Sequence, residues 1–165
     1  MLRWRPDVFS LQEGAGAQPL QRFVDKGYVF LGVRAGHAAK AGYVQLYARA
    51  REGLEATQLE APVGIPAVMA RVTVRGTPLV FVACHLPAGE AGASQREKHL
   101  RSAEAAARAA FSADETAGVV RFGDLNVRDY ELPGLMRCGE VRLRDARGGL
   151  QEADYSGCLW HPQSH

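Results

Sequence analysis

Apolar and polar residues alternate with a period of two along much of the first half of the chain. Val44, Leu46 and Ala48 interleave with Gln45, Tyr47 and Arg49, and Val68, Ala70, Val72 and Val74 interleave with Met69, Arg71, Thr73 and Arg75. Alternation of this kind predicts strands with one face on a core. It places strands at 7–12, 28–33, 43–49, 54–60, 67–74 and 79–86, with a further apolar strand at 118–122. Arg75-Gly76-Thr77 reads as a tight turn that makes a hairpin of the two strands flanking it.

The period changes at residues 93–112. Leu100, Ala103, Ala107, Ala110 and Phe111 recur every three or four positions, which predicts a helix with a buried stripe. Arg96, Lys98, Arg101, Glu104 and Arg108 lie mostly off that stripe and predict a solvated face. Leu20, Phe23 and Val24 predict a short helix within 14–26, and residues 1–5 read as the end of a helix stopped by Pro6. After Pro133 the pattern decays, with Val141 to Leu143 a brief strand at most. Strands first and a long helix later predict an α+β sandwich.

Composition narrows this little. At 165 residues, 47% hydrophobic and 23% charged, the chain is expected to form one domain over 1–165. A net charge of +2 is too small to draw nucleic acid by bulk attraction. Of the 20 cationic residues only three are Lys. The planar fork of Arg suits phosphate, but a GC-rich gene gives the same bias. Cys84, Cys138 and Cys158 form neither a disulfide framework nor a zinc spacing, which points to an intracellular, reducing compartment. Cys84 lies in an apolar strand and reads as a small core residue. No apolar run approaches the ~18 residues a bilayer demands, and the opening Met1 to Pro6 has no stretch of signal-peptide length. A membrane partner is not expected.

The candidate chemistry lies at strand ends. Pro6-Asp7-Val8-Phe9-Ser10-Leu11-Gln12-Glu13 ends in an acid, Pro78 to Leu86 delivers His85, and the run from Gly118 to Phe122 leads into Gly123-Asp124-Leu125-Asn126-Val127-Arg128-Asp129. Loops after strands are where a rigid sheet aims polar groups at a substrate. Phosphodiester hydrolysis needs neutralised phosphoryl charge, a positioned water and a stabilised leaving oxygen. Glu13 can hold a hard divalent cation, because Mg²⁺ often takes only one or two carboxylates. Asp124 can orient and deprotonate water. Asn126 can hold that water or a phosphoryl oxygen, His85 can donate to another oxygen, and Arg128 can clamp phosphate bidentately. Each has a blander alternative. Glu13 can be a solvated acid, His85 a hydrogen-bonded imidazole at the core edge, the Asp124 loop an ordinary turn, and Arg128 and Asp129 a local pair.

The order "PDV-x-x-LQE", "HL", "GD-x-N" resembles that of the endonuclease/exonuclease/phosphatase superfamily, the DNase I-like fold. Within it, Gly123 to Asp129 resembles the Gly-Asp-x-Asn-Leu-Arg-Asp of the tyrosyl-DNA phosphodiesterase 2 family, with Val at 127. His85-Leu86 followed by a helix carrying Arg96 is similar to that family as well, and Tyr155 to Trp160 loosely echoes a later motif. The resemblance implies two packed β-sheets flanked by helices, and a Mg²⁺-dependent (Mn²⁺ as an alternative) phosphodiesterase acting on nucleic acid, including 5′-tyrosyl adducts of DNA. By that resemblance Glu13 is the metal ligand, Asp124, Asn126 and His85 are catalytic, and Arg128 binds substrate. Arg96 and Asp145 take structural positions.

Two parts of the family pattern have no match in this sequence: an Asn-bearing strand ahead of the "LQE" strand, and a closing Asp with a Ser-Asp-His. Ser164-His165 is not that motif. The domain is therefore expected to be incomplete at both ends, and the isolated chain inactive or nearly so. Three readings stand at this point: a hydrolase, a degenerate structural or interaction subunit completed by a protein partner or second chain, and a nucleic-acid scaffold resting only on the Arg surplus.

Overall fold

The computed structural model describes residues 5–14, 16–36, 42–74, 76–111 and 118–126. These form β1 (Val8–Gly14), α1 (Gln21–Val24), β2 (Tyr28–Ala35), β3 (Tyr43–Arg49), β4 (Leu54–Leu59), β5 (Ala67–Val74), β6 (Thr77–His85), a 3₁₀ turn at Glu90–Gly92, α2 (Ala93–Ala109) and β7 (Gly118–Asp124). One sheet has the order β1-β3-β2 and the other β4-β5-β6-β7. All neighbours are antiparallel except β6 and β7, which run parallel and are joined through α2. The β5–β6 hairpin closes where sequence predicts, with Val74 opposite Thr77 and Gly76 at a φ of 81°.

Three apolar clusters explain the layering. Leu31, Val44, Leu46 and Ala48 meet Val68, Ala70, Val72 and Ala83 between the sheets. Met69, Val80, Val82 and Cys84 pack on the outer side of the four-stranded sheet against Leu100, Ala103 and Ala107 of α2. Phe9, Leu11, Leu20, Phe23, Tyr28, Phe30 and Tyr47 gather on the outer side of the three-stranded sheet. The result is the predicted α+β sandwich, with α2 outside one sheet. No helix among the described residues is long and apolar enough to cross a membrane.

Two expectations need correction. The alternation in β3 predicts one solvated face, yet Val44 through Ala48 are all buried. The segment before α1 covers the other face: Gln45 Nε2 donates to the Gly16 and Gln18 carbonyls, and Tyr47 Oη donates to Gln45 Oε1 while accepting from the Leu20 amide. The short helix expected within 14–26 is present as α1, a single turn, the residues ahead of it being used in that covering role. The charged face of α2 is not uniformly solvated, since Arg96 and Glu104 are buried. Arg96 donates to the Pro87 and Gly89 carbonyls at 2.7 Å, and Glu104 lies 2.8 Å from Arg108 and 3.2 Å from Arg121. The expected helix end at 1–5 and everything beyond Asn126 lie outside the described residues, apart from Arg5, which is not helical.

Candidate active site

The parallel pairing of β6 and β7 sets His85 opposite Asp124 at the carboxyl ends of the two strands. By strand alternation both belong to the face carrying Phe81, Ala83 and Phe122, which looks toward the other sheet. The strand ends are tied together beyond the ladder. The His85 amide donates to the Pro66 carbonyl, and the Leu86 amide donates to the Asp124 carbonyl at 2.9 Å.

Asp124 and Asn126 form a local turn. The Asn126 amide donates to Asp124 Oδ1 at 3.0 Å, and Asn126 sits in the left-handed region with φ 49°, a conformation Asn tolerates better than most residues. Its Nδ2 donates to the Leu86 carbonyl at 2.8 Å. One amide hydrogen is thus committed to the His85-Leu86 segment, while the second hydrogen and the oxygen have capacity for other partners.

Glu13 arrives from the other sheet. Its Oε1 lies 3.9 Å from His85 Nε2, and Asp124 Oδ2 lies 4.0 Å from the same nitrogen. Both separations are within Coulombic range and too long for hydrogen bonds. The His85 side chain is 3% exposed, against 72% for Glu13 and 45% for Asp124. A buried imidazole therefore lies beneath two carboxylates that face water. Gly123 allows this approach: at φ 113°, a Cβ there would overlap the Cys84 carbonyl oxygen and lie 2.8 Å from Gln12 Nε2.

The structure brings together four of the five residues singled out from the sequence: Glu13, His85, Asp124 and Asn126. Arg128 lies outside the described residues, as do Asp129 and Asp145. Sequence reasoning did not single out Gln12, whose Nε2 donates to Ser10 Oγ at 2.8 Å. Its Oε1 is buried without a hydrogen-bond partner among the described residues. It also missed the Leu86 carbonyl as the anchor of Asn126. Gln12 carries a signal within the "LQE" run, whereas a main-chain acceptor carries none.

The donor set is selective about metals. Among the described residues no group of three or more His, Cys, Asp or Glu is placed to cage an ion. What is offered is water-facing carboxylate oxygen. That fits Mg²⁺, which keeps several waters and takes one or two carboxylates. It does not fit a closed structural zinc centre, which takes four protein ligands.

Two facing sheets with α2 outside one of them, and polar groups from three strand ends gathered at one end, constitute a DNase I-like fold. Solved structures sharing it include D. rerio TDP2 humanized by 14 mutations, at 24% identity and a TM-score of 0.54, covering 79% of this chain and 56% of that one. D. rerio TDP2 complexed with single-strand DNA product gives the same identity and TM-score, covering 79% and 52%. The human Nocturnin catalytic domain with bound sulfate gives 14% and 0.52, covering 74% and 52%. The chain thus spans about half the length of the structures it matches, and at these identities the likeness is one of fold. No protein-family model and no curated protein matches the chain.

Proposed function

We propose that this chain carries part or all of the active site of a Mg²⁺-dependent phosphodiesterase whose substrate is a nucleic-acid phosphodiester, with 5′-tyrosyl adducts of DNA as the specific class. The observation that carries the reading is the placement of the Glu13 and Asp124 carboxylates within 3.9 and 4.0 Å of one buried imidazole nitrogen, from strands of different sheets. The fold it shares with TDP2, which has been solved with single-strand DNA product, favours this substrate class.

In this reading Glu13 would hold Mg²⁺, and Mn²⁺ would fit the same carboxylate oxygen donor. The bound ion supplies Lewis-acid polarisation of the phosphoryl group. Asp124 accepts the proton of the attacking water, and its exposed carboxylate leaves room for that water. The Asn126 amide, fixed through Leu86, orients the water or a phosphoryl oxygen. His85 donates from its Nε2 side to phosphoryl oxygen and, being buried, does so with little reorganisation. Arg128 follows Asn126 by two residues and clamps the phosphate.

The test is hydrolysis of a 5′-tyrosyl oligonucleotide, with and without Mg²⁺, by the wild type, Glu13→Ala and Asp124→Ala. Weak Mg²⁺-dependent turnover that disappears in both variants is the expected result. Turnover that survives both substitutions overturns the assignment. Mg²⁺ binding without turnover favours a subunit that has kept the site and lost the reaction.

A further inference from the structure

In a regular strand Gln12 and Glu13 would point to opposite faces of the sheet. Here both reach the carboxyl ends of β6 and β7. Gln12 Nε2 comes within 2.8 Å of the position a Cβ on Gly123 would take, and Glu13 Oε1 lies 3.9 Å from His85. The β1–β3 register explains how. Leu11 pairs with Gln45 and Gly14 with Tyr43, so Gln12 and Glu13 together face the single residue Val44. This is a β-bulge, a device that re-aims side chains and that recurs beside active sites. Glu13 is the residue that makes the turn, at a φ of 54°. For a side-chain-bearing residue that conformation is costly and persists only where surroundings enforce it.

The surroundings are supplied by Gly42. It too lies in the left-handed region, at φ 63°, and its carbonyl accepts from the Gly36 amide at 2.8 Å, closing the base of the β2–β3 connection. A Cβ on Gly42 would stand 2.9 Å from Glu13 Cα and 3.0 Å from Glu13 C. These are backbone atoms of the bulge, with no flexible end to swing away.

We propose that Gly42 is a positioning residue for Glu13: its bare backbone is the surface on which the bulge rests, and any side chain there displaces the Glu13 carboxylate from the His85–Asp124 cluster. The functional part rests on Glu13 being the metal ligand; the geometric part does not. Gly53 is a fitting control. It has φ 72° and nothing within 4 Å of its built Cβ, so Gly53→Ala imposes left-handed backbone strain without the contact.

The experiment uses the full 165-residue chain as wild type, Gly42→Ala, Gly42→Asn and Gly53→Ala, with far-UV circular dichroism to show that each is folded. Gly42→Asn is included because Asn tolerates the left-handed region and so isolates the steric contact. Two readouts separate the inference from the function beneath it. The first is the Cα shift and three-bond HN–Hα coupling of Glu13 by NMR without metal. Both Gly42 variants are expected to move Glu13 out of its left-handed conformation, with Gly53→Ala leaving it in place. Unchanged values in both overturn the proposal, whatever the chain's activity. The second is Mn²⁺ affinity by electron paramagnetic resonance. A loss of about tenfold or more is expected in the Gly42 variants, on the scale of disturbing a ligand's support. No further loss is expected when Gly42→Ala is added to Glu13→Gln. Equal affinity in wild type and both Gly42 variants overturns the positioning role. A wild type that binds no Mn²⁺ refutes the metal reading, while the NMR result still decides the geometry.

Discussion

His85 and Asp124 face each other across the parallel β6–β7 pair, and their side chains approach to 4.0 Å at the strands' carboxyl ends. The pairing is set by the ladder and by the Leu86 amide bond to the Asp124 carbonyl, so it does not depend on the side chains themselves. Asp124→Asn should therefore leave the fold intact while removing the carboxylate proposed as the proton acceptor. Thermal unfolding should shift by no more than a few degrees. Mg²⁺-dependent hydrolysis of a model phosphodiester should fall by about 10²-fold or more, the scale of losing a general base. An equal fall in stability and activity would assign Asp124 a structural role instead.

Gly123 lets the two sheets' contributions to the site come together. A Cβ at this position would overlap the Cys84 carbonyl and crowd Gln12 Nε2, and its φ of 113° suits glycine alone. Gly123→Ala should cost about 2 kcal/mol or more through overpacking and backbone strain. Urea unfolding gives the number. Because Gln12 adjoins Glu13, Mg²⁺ affinity should fall as well, and Gly76→Ala should spare it, since nothing lies within 4 Å of a Cβ there.

The strands and α2 were legible because their periods are strong: Val68 to Val74 reads two by two, and Leu100, Ala103 and Ala107 read as a helical stripe. Period alone does not tell which faces get covered. Gln45 and Tyr47 look like solvent-facing positions until residues 16–20 fold over them and satisfy their polar atoms. Arg96 and Glu104 look solvated until carbonyl and guanidinium partners arrive from other segments. The convergence of Glu13, His85, Asp124 and Asn126 was expected only through the order of motifs, because strand order is a property of long-range pairing. The bulge at Glu13 was not legible at all. It depends on Gly42, whose contact with Glu13 leaves no mark in the local pattern of either segment.

Glu104 joins α2 to β7 through two unequal partners. Arg108 is 56% exposed, whereas Arg121 is 13% exposed and comes from the strand that carries Asp124. Arg108→Ala should cost less than about 1 kcal/mol, as solvent screens that pair. Arg121→Ala should cost more, about 2 kcal/mol, since it removes the better-shielded partner of a buried carboxylate that keeps its two hydrogen bonds from Arg108. The double replacement Glu104→Met with Arg121→Met should recover much of that loss, because two apolar side chains leave no buried charge unpaired. Denaturant unfolding of the three variants checks the ranking, and equal costs for the two Arg variants would contradict it.

Cys84 makes stability sensitive to alkaline pH. It is fully buried between β6 and α2, and burial pushes its thiol up from 9.0 to about 12, opposed only in part by the Arg121 charge. Below pH 9 the thiol keeps its proton in both folded and unfolded chains, and its ionisation has no effect on stability. Above that pH the unfolded chain releases the proton and the folded chain does not, so stability falls as pH rises toward about 12. The slope approaches about 1.4 kcal/mol per pH unit for this one group. Cys84→Val removes the ionisation and keeps an apolar side chain of similar size. Urea unfolding of both proteins across that range should show the wild type losing more stability than the variant, by about 1 kcal/mol on going one unit above the unfolded thiol's ordinary value. Parallel declines would show that Cys84 ionises as readily in the folded chain as in the unfolded one. Iodoacetamide gives an independent reading: Cys84 should resist alkylation in the folded protein and react once urea exposes it, because the thiolate is the nucleophile and burial withholds it.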